Sequence, residues 1–322
     1  MGFITKEVER VYNQLMHTRH DPDGTIFYFS HNDFEGLKKH DYSFVSQRGH
    51  RLSGGFYHYE NPRTDRIIVF DHGLGTGHRA YMPEIERLCR EGYCVFSYDH
   101  TGCGESEGDK CMGIASSLSD LDDCINSLKS LAELSNLKIS VMGHSWGAFS
   151  TLNILAFHPH IHSIVALSGF LSTKIMLTQS FPFILAPIRK KIYDREKSLN
   201  PKYMDSSAID VLASTDRPAL IIHSLDDPTV SAKANILFLR KQMCDKENIE
   251  FILQNGKRHN PTYTSYAVEY KDSFFKEHSR MKKKGMLVSE EDKRAFVDSY
   301  DWHRMTEQDE NLWEHIFKFL EK

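Results

Sequence analysis

The residues with the most chemistry to offer lie in Gly143-His144-Ser145-Trp146-Gly147, a G-x-S-x-G pentapeptide. It falls between a strand-like run, Lys138 to Met142, and a helical stretch that begins at Trp146. A sharp strand-to-helix turn lifts a serine hydroxyl clear of the backbone, and glycines on either side allow the close packing such a turn demands. The hydroxyl becomes a nucleophile only if a base takes its proton and an acid orients that base. By itself the pentapeptide could equally be a glycine-lined turn with a capping serine, so the weight rests on its partners.

Two later loops supply them. Ser224-Leu225-Asp226-Asp227-Pro228-Thr229-Val230 follows the strand-like run Ala219–His223, and Gln254-Asn255-Gly256-Lys257-Arg258-His259 follows Ile249–Leu253. The order Ser, acid, His suits a nucleophile turn of this kind, and both loops lie past the carboxyl ends of strands, where open α/β sheets bind ligands. Asp227 is the expected acid, from its spacing to the strand end and to Val230. Asp226 is the rival, and an Asp-Pro pair is also a common turn initiator. His259 is the expected base, with His303 a distant second. Acyl transfer also needs hydrogen-bond donors for the developing oxyanion. The N–H of Trp146 and that of Leu74, in Asp71-His72-Gly73-Leu74-Gly75-Thr76-Gly77, are the expected pair. A phosphate cradle is a poor account of this loop. A dinucleotide fingerprint would need glycine where His78 stands, and no Walker lysine with its Ser or Thr is present.

The rest of the chain must hold these loops together. Asp41 to Glu60 alternates around a Gln47–His50 turn and predicts an antiparallel hairpin. Strand-like runs then alternate with amphipathic stretches: Arg66–Phe70, Met82–Cys89, Cys94–Tyr98, Ser117–Leu134, Lys138–Met142, Trp146–Phe157, Ser163–Leu167, Ala219–His223, Ala232–Met243, Ile249–Leu253 and Asp309–Leu320. Repeated βα couplets predict an α/β fold with a mostly parallel sheet covered by helices on both faces. Phe170 to Asp216 and Thr262 to Met305 break the rhythm and are too long for ordinary connections. The expected organisation is an N-terminal extension over 1–39, a core over 40–169 and 218–322, a cap over 170–217, and an unusual insertion over 262–305 before the last helix.

With Asp99-x-x-Gly102-x-Gly104-x-Ser106 between them, these segments resemble the α/β-hydrolase superfamily, in its serine aminopeptidase-like, monoacylglycerol lipase and lysophospholipase-like branch. The likeness covers about residues 40–260 and the final helix. It implies the α/β-hydrolase fold, no cofactor, and Ser145, Asp227 and His259 as catalytic triad, in agreement with the reading from the residues. Two features depart from the pattern. Trp146 after the nucleophile is frequent in proline iminopeptidase relatives, whose Gly-Gly-Pro-Gly loop the stretch Gly73–Gly77 does not match. Members also usually pass from the catalytic histidine almost directly into the last helix. Here Lys282-Lys283-Lys284 and Glu290-Glu291-Asp292 intervene, most simply as a solvated helical face.

The cap region carries Phe181, Phe183 and Leu185, whose apolar character suggests an acyl-binding wall above Ser145. Packing of the cap onto the core would use the same side chains, and Arg189-Lys190-Lys191 beside them would suit a lid that touches membrane. A net charge of −4 draws the chain to no nucleic acid. The six cysteines match no metal template and read as reduced thiols. The N-terminus has no signal-peptide pattern, and no stretch is apolar and long enough to span a bilayer. The expectation is therefore a cytoplasmic serine hydrolase, of carboxylesterase or lipase-like type. It would cleave small, fairly hydrophobic carboxylic esters through an acyl-enzyme on Ser145, with no metal; homo-oligomerisation stays open. Amide and thioester hydrolysis share the machinery, and a non-catalytic binding protein is the remaining alternative, one with no need of triad and oxyanion loop together.

Overall fold

The short β-branched runs build the centre of the molecule. In the computed structural model, which describes residues 2–134, 136–181 and 185–322, they form one eight-stranded sheet. Its strands are β1 (Lys38–Val45), β2 (Arg51–His58), β3 (Arg66–Asp71), β4 (Cys94–Tyr98), β5 (Lys138–His144), β6 (Ser163–Leu167), β7 (Ala219–Ser224) and β8 (Ile249–Gln254). The spatial order is β1-β2-β4-β3-β5-β6-β7-β8. β1 and β2 form the antiparallel hairpin and β2 meets β4 antiparallel; every later pairing is parallel. This is the α/β-hydrolase arrangement that the motif order predicts.

Side chains alternate across a strand, so β3 feeds two cores. Ile67 and Val69 pack with α3 (Ser116–Ser130), α4 (Trp146–Asn153) and α8 (Ile236–Gln242) on one face. Ile68 and Phe70 pack with α2 (Met82–Arg90) and α12 (Glu310–Leu320) on the other. With both faces covered, β3, β6 and β7 are buried along their whole length, which is why they read as apolar runs and not as alternating ones. Three helices are shorter than their periodicity predicts. α3 and α4 give way to 3-10 turns at Ala132–Leu134 and Ile154–Ala156. α8 starts only at Ile236, because Asn235 leaves helical geometry and its side chain accepts from the Leu171 N–H at 3.1 Å.

The two long excursions are helical. The first contributes α5 (Thr173–Ser180), α6 (Ala186–Leu199) and α7 (Ala208–Ser214). The second contributes α9 (Ser265–Lys283), α10 (Glu290–Asp298) and α11 (Trp302–Met305), around a small core of Phe274, Leu287, Phe296 and Met305. Its charge runs sit where helix dipoles favour them: Lys282 and Lys283 in the last turn of α9, Glu290 to Asp292 in the first turn of α10.

The N-terminal segment, read from sequence only as an extension, opens with helix α1 (Gly2–Met16). Polar contacts hold α1 to α6. Lys191 Nζ lies 2.7 Å from Glu9, Arg195 donates to Asn13 at 2.7 Å, and His17 lies 2.7 Å from the buried Glu196. Among the described residues, no helix is long and apolar enough to cross a membrane.

Candidate active site

β5 ends in the turn that carries Ser145, whose backbone stands at φ 55°, ψ −108°. A non-glycine residue pays conformational strain in that left-handed region, and it stays there only if its surroundings enforce it. They do so through the flanking glycines. A Cβ on Gly147 would lie 2.1 Å from the Asp71 carbonyl oxygen, and one on Gly143 would lie 2.4 Å from Thr151 Oγ1. The Ser145 N–H donates to the Leu167 carbonyl at 2.8 Å, which ties the turn to β6.

The structure brings the three expected residues together. Ser145 Oγ is 2.8 Å from His259 Nε2, and His259 Nδ1 is 2.7 Å from Asp227 Oδ2. The other Asp227 oxygen accepts from the N–H groups of Thr229 at 2.8 Å and Val230 at 3.0 Å. Burial acts to raise the Asp227 pKa, but the His259 hydrogen bond and charge and those two N–H groups outweigh it. The group is held below the ordinary carboxylate range and is ionised at neutral pH. Asp226, the rival acid, does different work. Its Oδ1 accepts from Ser224 Oγ and from the N–H of Gly256 at 3.0 Å, so it braces the loop that carries His259. His303 packs against Phe29, with ring centroids 4.9 Å apart.

Two participants escaped the sequence reading. His144 Nε2 lies 2.7 Å from the His259 carbonyl oxygen, and its Nδ1 lies 2.8 Å from Tyr81 Oη. Tyr81 Oη also accepts from the Gly73 N–H at 3.1 Å. Burial pushes the His144 pKa down to about 3, so the imidazole is neutral with a single N–H. Only one hydrogen-bond pattern satisfies every atom: Tyr81 donates to Nδ1, and Nε2–H donates to the His259 carbonyl. The Gly73 loop and the His259 loop are thereby joined through one imidazole. The signal was available, since His144 sits inside the pentapeptide. Its role depends on a tyrosine 63 positions earlier, which no local pattern connects to it.

Leu74, Trp146, Ser145 and His259 border one cavity of about 600 Å³. Trp146 is the first residue of α4, where helix N–H groups have no intrahelical acceptor. Its indole donates to the Ile114 carbonyl at 2.6 Å, which fixes the residue beside Ser145. Phe181 and Leu185 from the cap line the same cavity, while Phe183 lies outside the described residues. Val8, Val11, Tyr12 and Leu15 of α1 supply a wall that the sequence reading did not anticipate.

The sequence pattern of the family described as serine aminopeptidase, S33, matches residues 62–241, more than half of the chain. The chain belongs to that family. It is 27% identical to a proline iminopeptidase of Saccharolobus solfataricus over 186 residues, covering 51% of this chain and 59% of that protein. It is 24% identical to the uncharacterized protein YfhR of Escherichia coli over 144 residues, 43% of this chain and 50% of that one. The chain thus spans little more than half the length of the curated relatives it matches. Among solved structures, an esterase of Pyrococcus furiosus superposes with a TM-score of 0.58 at 19% identity, covering 83% of this chain and 97% of that one. An acylaminoacyl peptidase of Pyrococcus horikoshii gives 0.52 at 16% identity, over 71% and 38%. These two likenesses speak for the α/β-hydrolase fold.

This S33 family member carries a second cavity at the same histidine. It measures about 440 Å³ and shares Leu74, Thr229 and His259 with the first, but it is lined further by Glu84, Arg258, Asn260 and Lys271. No group of three or more His, Cys, Asp or Glu side chains among the described residues is arranged to hold a metal ion.

Proposed function

We propose that this protein is a serine hydrolase that cleaves carboxylic esters with a fairly hydrophobic acyl group. The observation that carries the reading is the hydrogen-bonded chain Asp227–His259–Ser145 opening onto a largely apolar cavity. His259 takes the Ser145 proton as Oγ attacks the ester carbonyl carbon, and Asp227 holds the imidazole and stabilises its charged form. The N–H groups of Leu74 and Trp146 receive the oxyanion. Collapse breaks the bond to the leaving oxygen, which departs with the proton from His259. Water, deprotonated by the same histidine, then releases the acid and restores Ser145.

The acyl group would lie among Ile114, Phe170, Leu177, Phe181 and Val230, with Val8, Val11 and Leu15 of α1 closing the outside. A second reading, cleavage of aminoacyl amides, is favoured by the family and by the proline iminopeptidase relative. The first is preferred because, among the described residues, Glu7 is the one carboxylate on that cavity's wall, so little there is offered to a substrate ammonium group. A fluorophosphonate probe should label Ser145, and Ser145→Ala should lose both labelling and turnover. Parallel assays on p-nitrophenyl esters of graded length and on aminoacyl anilides then separate the two readings. A folded protein that resists the probe and turns over neither set is a binding protein instead.

A further inference from the structure

The cap helix α6 breaks its own pattern. Its buried positions are Ile188, Ile192 and Glu196, four residues apart on one stripe, so a carboxyl group stands where a third hydrocarbon would be expected. Glu196 is fully buried. Taking a carboxylate out of water is costly unless donors replace the solvent, so the groups that meet this one explain its presence. Both oxygens are met. Oε1 lies 2.7 Å from His17 Nε2, just past the end of α1, and Oε2 accepts from the Ile114 N–H at 2.8 Å. A Cβ on Gly113 would collide with Oε2, so glycine at that position leaves the carboxyl its room.

The two arms lead to different parts of the active site. Ile114, held at its N–H by Glu196, accepts at its carbonyl from the Trp146 indole at 2.6 Å. Trp146 in turn follows Ser145 and offers the backbone N–H for the oxyanion. The other arm runs through His17 to α1, whose Val8, Val11 and Leu15 line the acyl cavity. A backbone bond ties the arms to each other, since the Gly113 N–H donates to the Met16 carbonyl at 3.1 Å. One carboxyl thus stands between the wall of the acyl cavity and the residue beside Ser145. Close-packed interiors transmit displacement, so a shift of Glu196 is passed on to both.

We propose that Glu196 is a positioning residue for the reaction at Ser145. Through Ile114 it holds Trp146, and with it the oxyanion donor, in register; through His17 it seats α1 on the acyl group. The proposal rests on the reading of Ser145 as nucleophile and of the Trp146 N–H as donor. Negative charge on the substrate oxygen develops in the transition state, so a misplaced donor is felt in kcat more than in KM. A displaced α1 loosens the wall around a long acyl chain and is felt in KM for that substrate. The two arms therefore carry separate kinetic signatures, which a purely structural role for Glu196 would not give.

Steady-state kinetics of the full chain on p-nitrophenyl acetate and p-nitrophenyl octanoate tests this. Glu196→Met removes the acceptor at similar volume and should lower kcat for the acetate by roughly tenfold, with KM little changed. Glu196→Gln, whose amide oxygen still accepts from the Ile114 N–H, should recover most of that loss. In a Trp146→Phe background, which has no indole N–H to hold, Glu196→Met should cost less than about twofold further, because changes on one path do not add. His17→Leu, which cuts the other arm, should raise KM for the octanoate. An unchanged acetate kcat in folded Glu196→Met, a loss that Glu196→Gln does not recover, or an equal loss in both Trp146 backgrounds would each overturn the positioning role. Should Glu196→Met not fold, Glu196→Asp, which draws the carboxyl back by one methylene, takes its place under the same outcomes. Fluorophosphonate labelling separates this failure from the larger one. Labelled wild type with any of those results overturns the role of Glu196 alone, whereas folded wild type that stays unlabelled overturns the nucleophile and this role together.

Discussion

The two cavities that meet at His259 are built by opposite means. The larger one is walled by the cap and α1, and its lining is aliphatic and aromatic apart from Ser145, His259, Glu7 and a few hydroxyls. The smaller one is walled by α2 and the 262–305 insertion and carries Glu84, Arg258, Asn260 and Lys271. An apolar wall binds by area and tolerates exchange of one hydrocarbon for another, whereas a wall of charged and amide groups binds by pairing and rejects what cannot pair. The contrast gives the molecule a direction: hydrocarbon on one side of Ser145, hydrogen-bonding groups on the other. Each side joins core elements to an addition: the cap and α1 complete the first cavity, and the 262–305 insertion packs over α2 to complete the second.

The comparison holds only if the centre between the cavities works as proposed, and the largest expected effect is there. Asp227→Asn leaves the His259 imidazole in the wrong tautomer toward Ser145 and should lower kcat by about 10⁴-fold. Asp226→Asn, which alters only the brace of the 256–258 loop, should cost far less in kcat. Steady-state kinetics on p-nitrophenyl butyrate compares the two, and an equal loss in both variants would remove the special standing of Asp227.

The polar side should also be visible in stability. The Glu84 pKa stands at about 7, above its ordinary 4.5. The folded state therefore holds more protons than the unfolded state between those values, and stability falls as pH rises through that window. A shift of this size corresponds to on the order of 3 kcal/mol. Denaturant unfolding of wild type and Glu84→Met at pH 5 and pH 7.5 should show the wild type losing stability between the two, with the variant losing much less. Parallel curves would mean that Glu84 keeps an ordinary pKa in the folded protein and that the two cavities differ less than the comparison holds.

Much of this centre was legible in advance, for a physical reason. Ser145, Asp227 and His259 each follow a strand whose apolar run is visible in one dimension, so their convergence at one sheet edge follows from the parallel order. Leu74 and Trp146 were expected as oxyanion donors on the same ground, as neighbours of strand ends, and both border the cavity that Ser145 and His259 open onto. The acid, however, could not be chosen by pattern, since Asp226 and Asp227 are adjacent; the chain had to turn through Thr229 and Val230 before one carboxylate faced the imidazole. α1 was invisible as a wall because its partners lie on α6, about 180 residues later. Glu84 drew no notice in the sequence, because it sits in the amphipathic run Met82–Cys89 and meets Thr262 of the later insertion only in the fold.

The link between the two sides is smaller in effect. Tyr81→Phe removes the hydroxyl that accepts from Gly73 and donates to His144, which in turn donates to the His259 carbonyl. One net hydrogen bond is worth about 0.5–1.5 kcal/mol. If the relay positions the oxyanion loop and the base loop together, the loss should fall on kcat, by roughly tenfold, with KM little changed. A change in KM alone would make Tyr81 a wall of the polar cavity and no more.

The smallest expected effect concerns the outer wall of the apolar side. Leu15 lines the cavity yet is 51% exposed, so it contributes little to the fold while offering its surface to a long acyl chain. A fully buried leucine is worth about 1.5–3 kcal/mol, and one buried only when substrate is present brings a fraction of that to binding. Leu15→Ala should therefore reduce kcat/KM for long-chain p-nitrophenyl esters by roughly three- to fivefold and should reduce it less for acetate, while Tm moves by only a degree or two. Phe181→Ala, on the cap, offers the contrast. Phe181 packs against the main core and lies tilted against Tyr12, with ring centroids 6.2 Å apart, so its loss should lower Tm as well as long-chain selectivity. If Leu15→Ala leaves the chain-length profile unchanged while Phe181→Ala alters it, the acyl group is held by the cap alone and α1 serves only to cover it. If both variants flatten the profile, the apolar side of the molecule is a joint product of the cap and the N-terminal helix. That is the outcome the shared lining and the Glu9, Asn13 and His17 contacts to α6 lead us to expect.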